Sequence, residues 1–372
     1  MKLVIIIPAL NEEKTIGQVV RGVPRNIVRI TETEIIVLND GSTDRTASEA
    51  KDAGALVVSL KGGGGLGMVF RAGIERAMRR GADIIVNIDG DGQFDPADIR
   101  QLIQPLLNDE ADFVTCSRFA DPALRPTMPT VKYYGNLAVT RIINWVCGGT
   151  NFTDVSCGFR AFTRESAYRM TLFGRFTYTQ ECFIDLFSKG VRIAEVPLKV
   201  RGVREFGKSR IAGSICKYAV NSLPIIVRAM RDIQPLKFFG GIAMLLFLLG
   251  ASTEGFVGGW YLYHSQKTSP FTSLITIGGV LVMLGFLLGV LALLADMLGR
   301  HRRISEELLY LARRRIYSNR RTAKASLPPI SEATPVLTLH DSWSLPVMRD
   351  VSEIREPSLA GTTPKARISS TE

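Results

Sequence analysis

Residues 270–295 run for 26 positions without a charged side chain, and residues 238–263 run for another 26 with one, Glu254. About 20 apolar residues cross a bilayer core as a helix. Both segments therefore read as membrane helices, and the rest of the chain must fold around a C-terminal hairpin. Glu254 reads as lying at the outer interface beside Trp260 and Tyr261, the alternative being that it faces the other helix. Arg228, Arg231 and Lys237 precede the first span, Arg300, Arg302 and Arg303 follow the second, and the short loop between holds only Lys267. This asymmetry predicts a multi-pass protein of the plasma (inner) membrane with both ends cytosolic. Residues 300–324 carry nine Lys/Arg against two Glu and read as a basic juxtamembrane patch for anionic lipid. Residues 325–372, rich in Ser, Thr and Pro, read as a disordered tail.

The first ~230 residues have ordinary globular composition. Short β-branched runs at 3–7, 34–39, 56–60, 84–89 and 113–117 alternate with helix-length segments at 13–23, 45–53, 68–80 and 97–108. That alternation predicts an α/β domain, a mostly parallel sheet with helices on both faces. The charged start and apolar run "MKLVIIIPALNEE" resembles a signal peptide only briefly. Pro8, Asn11, Glu12 and Glu13 break it, so it reads as a first strand without export. After Cys147 the pattern is less regular. "IAEVPLKV" reads as a strand, and residues 211–231 as an interfacial helix kinked at Pro224.

Five cysteines (Cys116, Cys147, Cys157, Cys182 and Cys216) with no CxxC pair argue against a disulfide framework or zinc site. The net charge of +11 favours an anionic partner.

In such sheets ligands bind beyond the carboxyl ends of strands. There the chain places "PALNEE", "NDGSTD" and "IDGDGQ". Asp89, Asp91 and Gln93 offer oxygens at alternate positions of one turn, which suits a divalent cation held with a diphosphate. The same turn also reads as an exposed acidic turn with Asp95 capping the next helix. Asp40 could accept from a base N–H, and Asp44 could cap a helix. "GGGGLG" at 62–67 matches GxGxxG, yet it follows the third strand, and Asp83, the acid ~20 residues on, precedes its own strand. A dinucleotide-binding oxidoreductase is thereby disfavoured, and the segment reads as a flexible loop near the donor. No Lys-Ser/Thr follows to make a Walker A loop.

Together "PALNEEKTI", "NDGSTD", the DGDGQ turn, "CGFRAF", "REFGKSR" and the paired C-terminal spans resemble glycosyltransferase family 2, in its polyprenyl-phosphate branch. The resemblance covers about residues 1–300. It implies a GT-A fold and an inverting transfer of a hexose from a UDP- or GDP-sugar to undecaprenyl or dolichyl phosphate, with Mg²⁺ or Mn²⁺. By this resemblance Pro8, Asn11, Glu12, Asp40, Asp89 and Gln93 serve the nucleotide sugar, and Asp89, Asp91 and Gln93 the metal. Arg118, Arg160, Arg201, Arg204, Lys208 and Ser209 fall to catalysis and the acceptor phosphate. Asp154 and Glu181 are acids that could orient the acceptor or a sugar hydroxyl, or equally serve as helix-face or capping acids. The family's Asn-rich segment is replaced here by glycines, and Gly90 stands where relatives carry a small residue, which should loosen the turn. Transfer to another membrane lipid, or an inactive scaffold of the same fold, are the alternatives. The expected layout is a catalytic domain over 1–210, interfacial helices over 211–235, spans over 236–299, then the basic segment and tail. The expected partners are nucleotide sugar, polyprenyl phosphate and anionic lipid, not nucleic acid. Homo-oligomerisation is compatible with the sequence.

Overall fold

The computed structural model describes residues 1–174, 178–202, 234–263 and 271–323, with isolated positions at 224, 227, 228, 231 and 268. Seven strands form one sheet: β1 (Lys2–Ala9), β2 (Glu32–Asn39), β3 (Leu56–Ser59), β4 (Ile84–Asn87), β5 (Phe113–Ser117), β6 (Arg160–Thr163) and β7 (Ile193–Pro197). Their order is β3-β2-β1-β4-β6-β5-β7, parallel except for β6. This is the GT-A sheet that the resemblance implied.

Alternation builds the two faces. Ile5, Ile7, Val37, Val86 and Val114 pack with Ile16, Val19 and Val20 of α1 (Ile16–Gly22) on one side. Val4, Ile6, Ile36, Leu38 and Ile85 pack with Phe70 and Ile74 of α3 (Leu66–Arg79) on the other. Helix α2 (Thr46–Asp52) follows β2. The helix expected over 97–108 is broken into α4 (Ile99–Leu102) and α5 (Gln104–Leu107). Pro105 lacks the N–H that a continuous helix would need there. The domain continues through α6 (Thr130–Val146), α7 (Arg164–Arg169) and α8 (Thr179–Ser188).

Helices α9 (Pro235–Tyr263) and α10 (Thr272–Ala323) are both long and apolar enough to cross a membrane. Their apolar side chains are mostly exposed, Met244, Leu248, Phe286 and Leu293 among them, unlike the core helix of a soluble domain. Small residues let the pair approach. A Cβ on Gly250 would strike Gly278 and Val282, and one on Gly285 would strike Phe247 and Ala243. Glu254 faces the other helix, its Oε1 lying where a Cβ on Gly278 would stand. Of the two positions read from the sequence, this is the one that faces the partner helix.

Helix α10 continues well past its apolar stretch. It runs for 52 residues and docks on the α/β domain. Tyr310 Oη donates to Glu165 (2.6 Å), and Arg313 Nη1 donates to the carbonyls of Met170 (2.7 Å) and Tyr168 (3.0 Å). Lys189 pairs with both Asp185 and Glu306, and Tyr317 stacks on Tyr168. The segment expected to be wholly a lipid patch is thus partly a protein contact. Among its described side chains the exposed arginines are Arg300, Arg303, Arg314 and Arg315. The interfacial helix and kink expected over 211–231 lie almost entirely outside the described residues, as does the tail.

Candidate functional site

The carboxyl ends of β3, β2, β1, β4, β5 and β7 open on one edge of the sheet, and antiparallel β6 begins there. Two loops on this edge are stitched together. Asn11, in the left-handed region at φ 55°, donates its N–H to Ser42 Oγ and accepts from Thr43 N at Oδ1. Glu12 N donates to Thr46 Oγ1. Asp44 accepts from the Thr46 amide and hydroxyl, as a capping acid should. Burial pushes the Asp44 carboxyl up, but these bonds outweigh it and hold the pKa below the ordinary value. Asp40, half-buried, has its pKa raised by desolvation. The glycine loop lies against it: a Cβ on Gly62 would crowd the Asp40 carbonyl, and Gly62, Gly63 and Gly65 all have positive φ. Pro8 is buried one residue before the end of β1 at Ala9.

Beyond β4 the chain makes the turn of Asp89, Asp91 and Gln93. Asp91 is only 2% exposed and its Oδ1 accepts from Gln93 N, so the turn is not the exposed one expected. Gly90 is not a loose point either. Its carbonyl accepts from Thr15 Oγ1 at 2.7 Å, and a Cβ there would press on Ile16 and the Pro8 carbonyl. Asp95 caps the following turn through Ala97 N.

Asp89 rests on a seat that sequence reasoning missed. The carboxylate lies 3.1 Å, and the Tyr178 hydroxyl 3.5 Å, from where a Cβ on Gly158 would stand. Asn87 Nδ2 donates to Tyr178 Oη and to the Gly158 carbonyl, both at 2.8 Å. Burial, and next the Asp89 charge, raise the phenol's pKa and keep it protonated. The available signal was the "CG" before "FR", which needs a residue without a side chain.

Arg118 follows β5 and forks onto buried Asp154 through Nε (2.6 Å) and Nη2 (2.9 Å). Burial opposes the guanidinium charge, but Asp154 outweighs it and raises the pKa. Asp154 also accepts from Ser156 N, so both its oxygens are occupied. Glu195 of β7, unnoticed in the sequence, holds this segment by accepting from the amides of Thr153 (2.7 Å) and Asp154 (2.8 Å). A lone acid inside "IAEVP" was the legible sign. Glu181 spends its two oxygens on the amides of Phe173 and Gly174 and props that loop. Asp154 thus holds Arg118 in place, and Glu181 holds the loop before α8.

Arg160 corrects the expectation that it meets the acceptor phosphate. It is fully buried in β6, opposite Asn87 and Thr115, and donates to the carbonyls of Cys157 and Val155. Phe183, Phe113 and Tyr178 surround its guanidinium. Arg201 reaches the edge: its N–H donates to the Gln93 carbonyl, and Gln93 Nε2 returns a bond to the Arg201 carbonyl, both at 3.0 Å. Arg204, Lys208 and Ser209 lie outside the described residues. Cys116, Cys147, Cys157 and Cys182 are free and buried, as expected of small apolar side chains.

The residues present fit a hard divalent cation. Two carboxylates on one turn are the usual protein share of a Mg²⁺-type shell, which phosphate and water complete. Among the described residues no cluster of three acids, histidines or cysteines offers a closed protein cage.

Residues 4–171 match the family model described as Glycosyl transferase family 2. A UDP-N-acetylglucosamine--dolichyl-phosphate N-acetylglucosaminyltransferase of Methanococcus voltae is 32% identical, over 52% of this chain and 84% of that protein. Glycosyltransferase AglJ of Haloferax volcanii is 29% identical over 79% of this chain and 91% of its own length. An undecaprenyl-phosphate mannosyltransferase of Micrococcus luteus is 27% identical over 59% and 91%. Stitched loops, the acidic turn at the end of β4 and these likenesses converge: the chain belongs to glycosyl transferase family 2.

Proposed function

We propose that this protein is a membrane-anchored, inverting glycosyltransferase that moves a hexose from a nucleotide sugar to a polyprenyl phosphate. The observation that carries the reading is the two-way bond between Gln93 and Arg201. It joins the acidic donor turn to the start of the Arg-rich segment that precedes the spans in the sequence. Two of the relatives carry dolichyl-phosphate or undecaprenyl-phosphate in their names, which supports the acceptor class.

In this reading Asn11, Glu12 and Asp40 line the nucleotide, and Asp89 and Asp91 hold Mg²⁺ or Mn²⁺. When bound, that cation offsets the charge of the diphosphate leaving group. An acceptor phosphate oxygen attacks the anomeric carbon from the face opposite the diphosphate. The new C–O bond forms as the old one breaks, and the nucleoside diphosphate leaves with the bonding pair. A phosphate monoester already carries ≈ −1.5 to −2 charge, so no protein base is needed. The four bonds that Asp154 accepts agree with that. Arg118, fixed by Asp154, and Arg201, Arg204 and Lys208, with Ser209, supply the positive field in which two anions meet. Arg300 and Arg303 face anionic lipid headgroups.

The test is a screen of labelled UDP- and GDP-sugars against short polyprenyl phosphates, with the lipid product identified by mass. One pair should give a glycosyl-phosphoryl-polyprenol and release nucleotide only when the acceptor is present. Sugar transfer to diacylglycerol instead, or nucleotide release indifferent to polyprenyl phosphate, would reject the reading.

A further inference from the structure

Helix α6 carries an exposed apolar stripe on the side turned away from the core. At 100° per residue, Val131, Tyr134, Ala138, Ile142 and Trp145 fall on one face, and all are exposed, Trp145 at 67% and Tyr134 at 63%. The buried face carries the polar Asn136 and Thr140 beside Ile143 and Val146. Asn136 Nδ2 and Thr140 Oγ1 have no hydrogen-bond partner there. A helix solvated on its outer side would place the polar residues outward and the tryptophan inward. We propose that the outer face of α6 lies in the headgroup layer of the phospholipid bilayer, a membrane contact made by the catalytic domain itself. The inference rests on the membrane-anchored reading above.

Both ends of the helix support that occupant. At the carboxyl end, Gln234 Nε2 donates to the Val146 carbonyl at 2.9 Å, and Pro235 begins the first span at the next residue. Trp145 is therefore tied to the level where α9 enters the membrane. At the amino end, Thr127 abuts Gly202, where any Cβ would overlap its carbonyl. So α6 bridges the start of the Arg-rich segment and the base of the hairpin. Tyr134 and Trp145 are side-chain types that settle at a membrane–water interface. Arg141, exposed beside them, suits anionic headgroups. This contact would hold the acceptor side of the sheet edge against the lipid surface.

Trp145 is its own reporter, because the chain has three tryptophans, Trp145, Trp260 and Trp343. The double variant Trp260→Phe/Trp343→Phe leaves Trp145 alone, and Trp145→Phe/Trp343→Phe leaves Trp260 in the hairpin. Each full-length protein is reconstituted in phosphatidylcholine–phosphatidylglycerol vesicles whose acyl chains are brominated either near the headgroup or near the methyl end. Trp145 should lose fluorescence to the shallow bromine and little to the deep one. If Trp260 is quenched while Trp145 is not, the hairpin is in the membrane and the proposal for α6 is wrong. If neither is quenched, the membrane-anchored reading fails first and takes the proposal with it. If Trp145 stays bright and a cysteine at Val131 cross-links two copies, the face is a protein interface and the proposal is overturned.

Discussion

At the scale of the residue, the site depends on how few atoms stand between Asp89 and the core. Gly158→Ala would drive a methyl into the Asp89 carboxylate. Because the neighbours are a backbone turn and a packed tyrosine, relief must come from displacing Asp89. A Cβ 3.1 Å from that carboxylate asks it to give by a few tenths of an ångström, less than the 1 Å misplacement that costs about 10²-fold in rate. Activity should therefore fall by up to about tenfold while circular dichroism stays native, and the divalent-metal concentration needed for half-maximal rate should rise. An unchanged metal requirement would detach Gly158 from Asp89. Asp91 calls for a different substitution, since its Oδ1 also holds the turn. Asp91→Asn keeps an acceptor for Gln93 N but removes the charge. It should fold normally and lose about 10²-fold or more in kcat, the scale for one lost electrostatic stabiliser. Near-normal turnover with Mg²⁺ or Mn²⁺ present would remove Asp91 from the site. The acids and loops were legible because polar clusters at strand ends have few other uses. The fate of Arg160 was not. "GFR" names the residue types, but only the antiparallel register of β6, with residue 160 opposite Asn87 and Thr115, turns the guanidinium inward.

At the scale of the element, β-branched runs were readable even when short, as β3 and β4 were, and segments of mixed composition such as α6 and β6 were not. Strand β6 has four residues and a mixed sequence, too short for an alternation to stand out. The extension of α10 was read as charge for lipid because nine basic residues dominate it. Yet Tyr310, Arg313 and Tyr317 recur at three- and four-residue spacing and mark a docking stripe. Arg313 is the anchor, and burial lowers its pKa. Arg313→Ala would leave the carbonyls of Tyr168 and Met170 without that donor. Bonds from a charged donor contribute about 1.5–3 kcal/mol each, so docking should weaken by roughly that amount. Hydrogen exchange should then speed up over residues 304–318 and 165–172, with the α9–α10 hairpin unaffected. Equal exchange in the variant and the parent would mean that other contacts hold the helix.

At the scale of the whole molecule, the even number of spans and the Lys/Arg bias put both termini on the cytosolic side in our reading. A membrane-impermeant thiol reagent on intact cells should reach Ser265→Cys and miss Ser326→Cys, each made in a cysteine-free chain. The opposite pattern would reverse the orientation. Spans and sheet could be read from the sequence because each has its own period, whereas their mutual placement depends on contacts far apart in the chain. One of those contacts makes α10 a ruler. Its 52 residues form a continuous rod of about 78 Å, in our reading embedded at one end, and clamped to the α/β domain at the other. Height and phase above the membrane are then set by residue count. Seven residues of helix inserted between Gly299 and Arg300 would restore the phase to within ~20° and lift the clamp by about 10 Å. Such a protein should still turn over a short polyprenyl phosphate in detergent, and should lose the same chemistry on a long-chain lipid held at the depth of the bilayer.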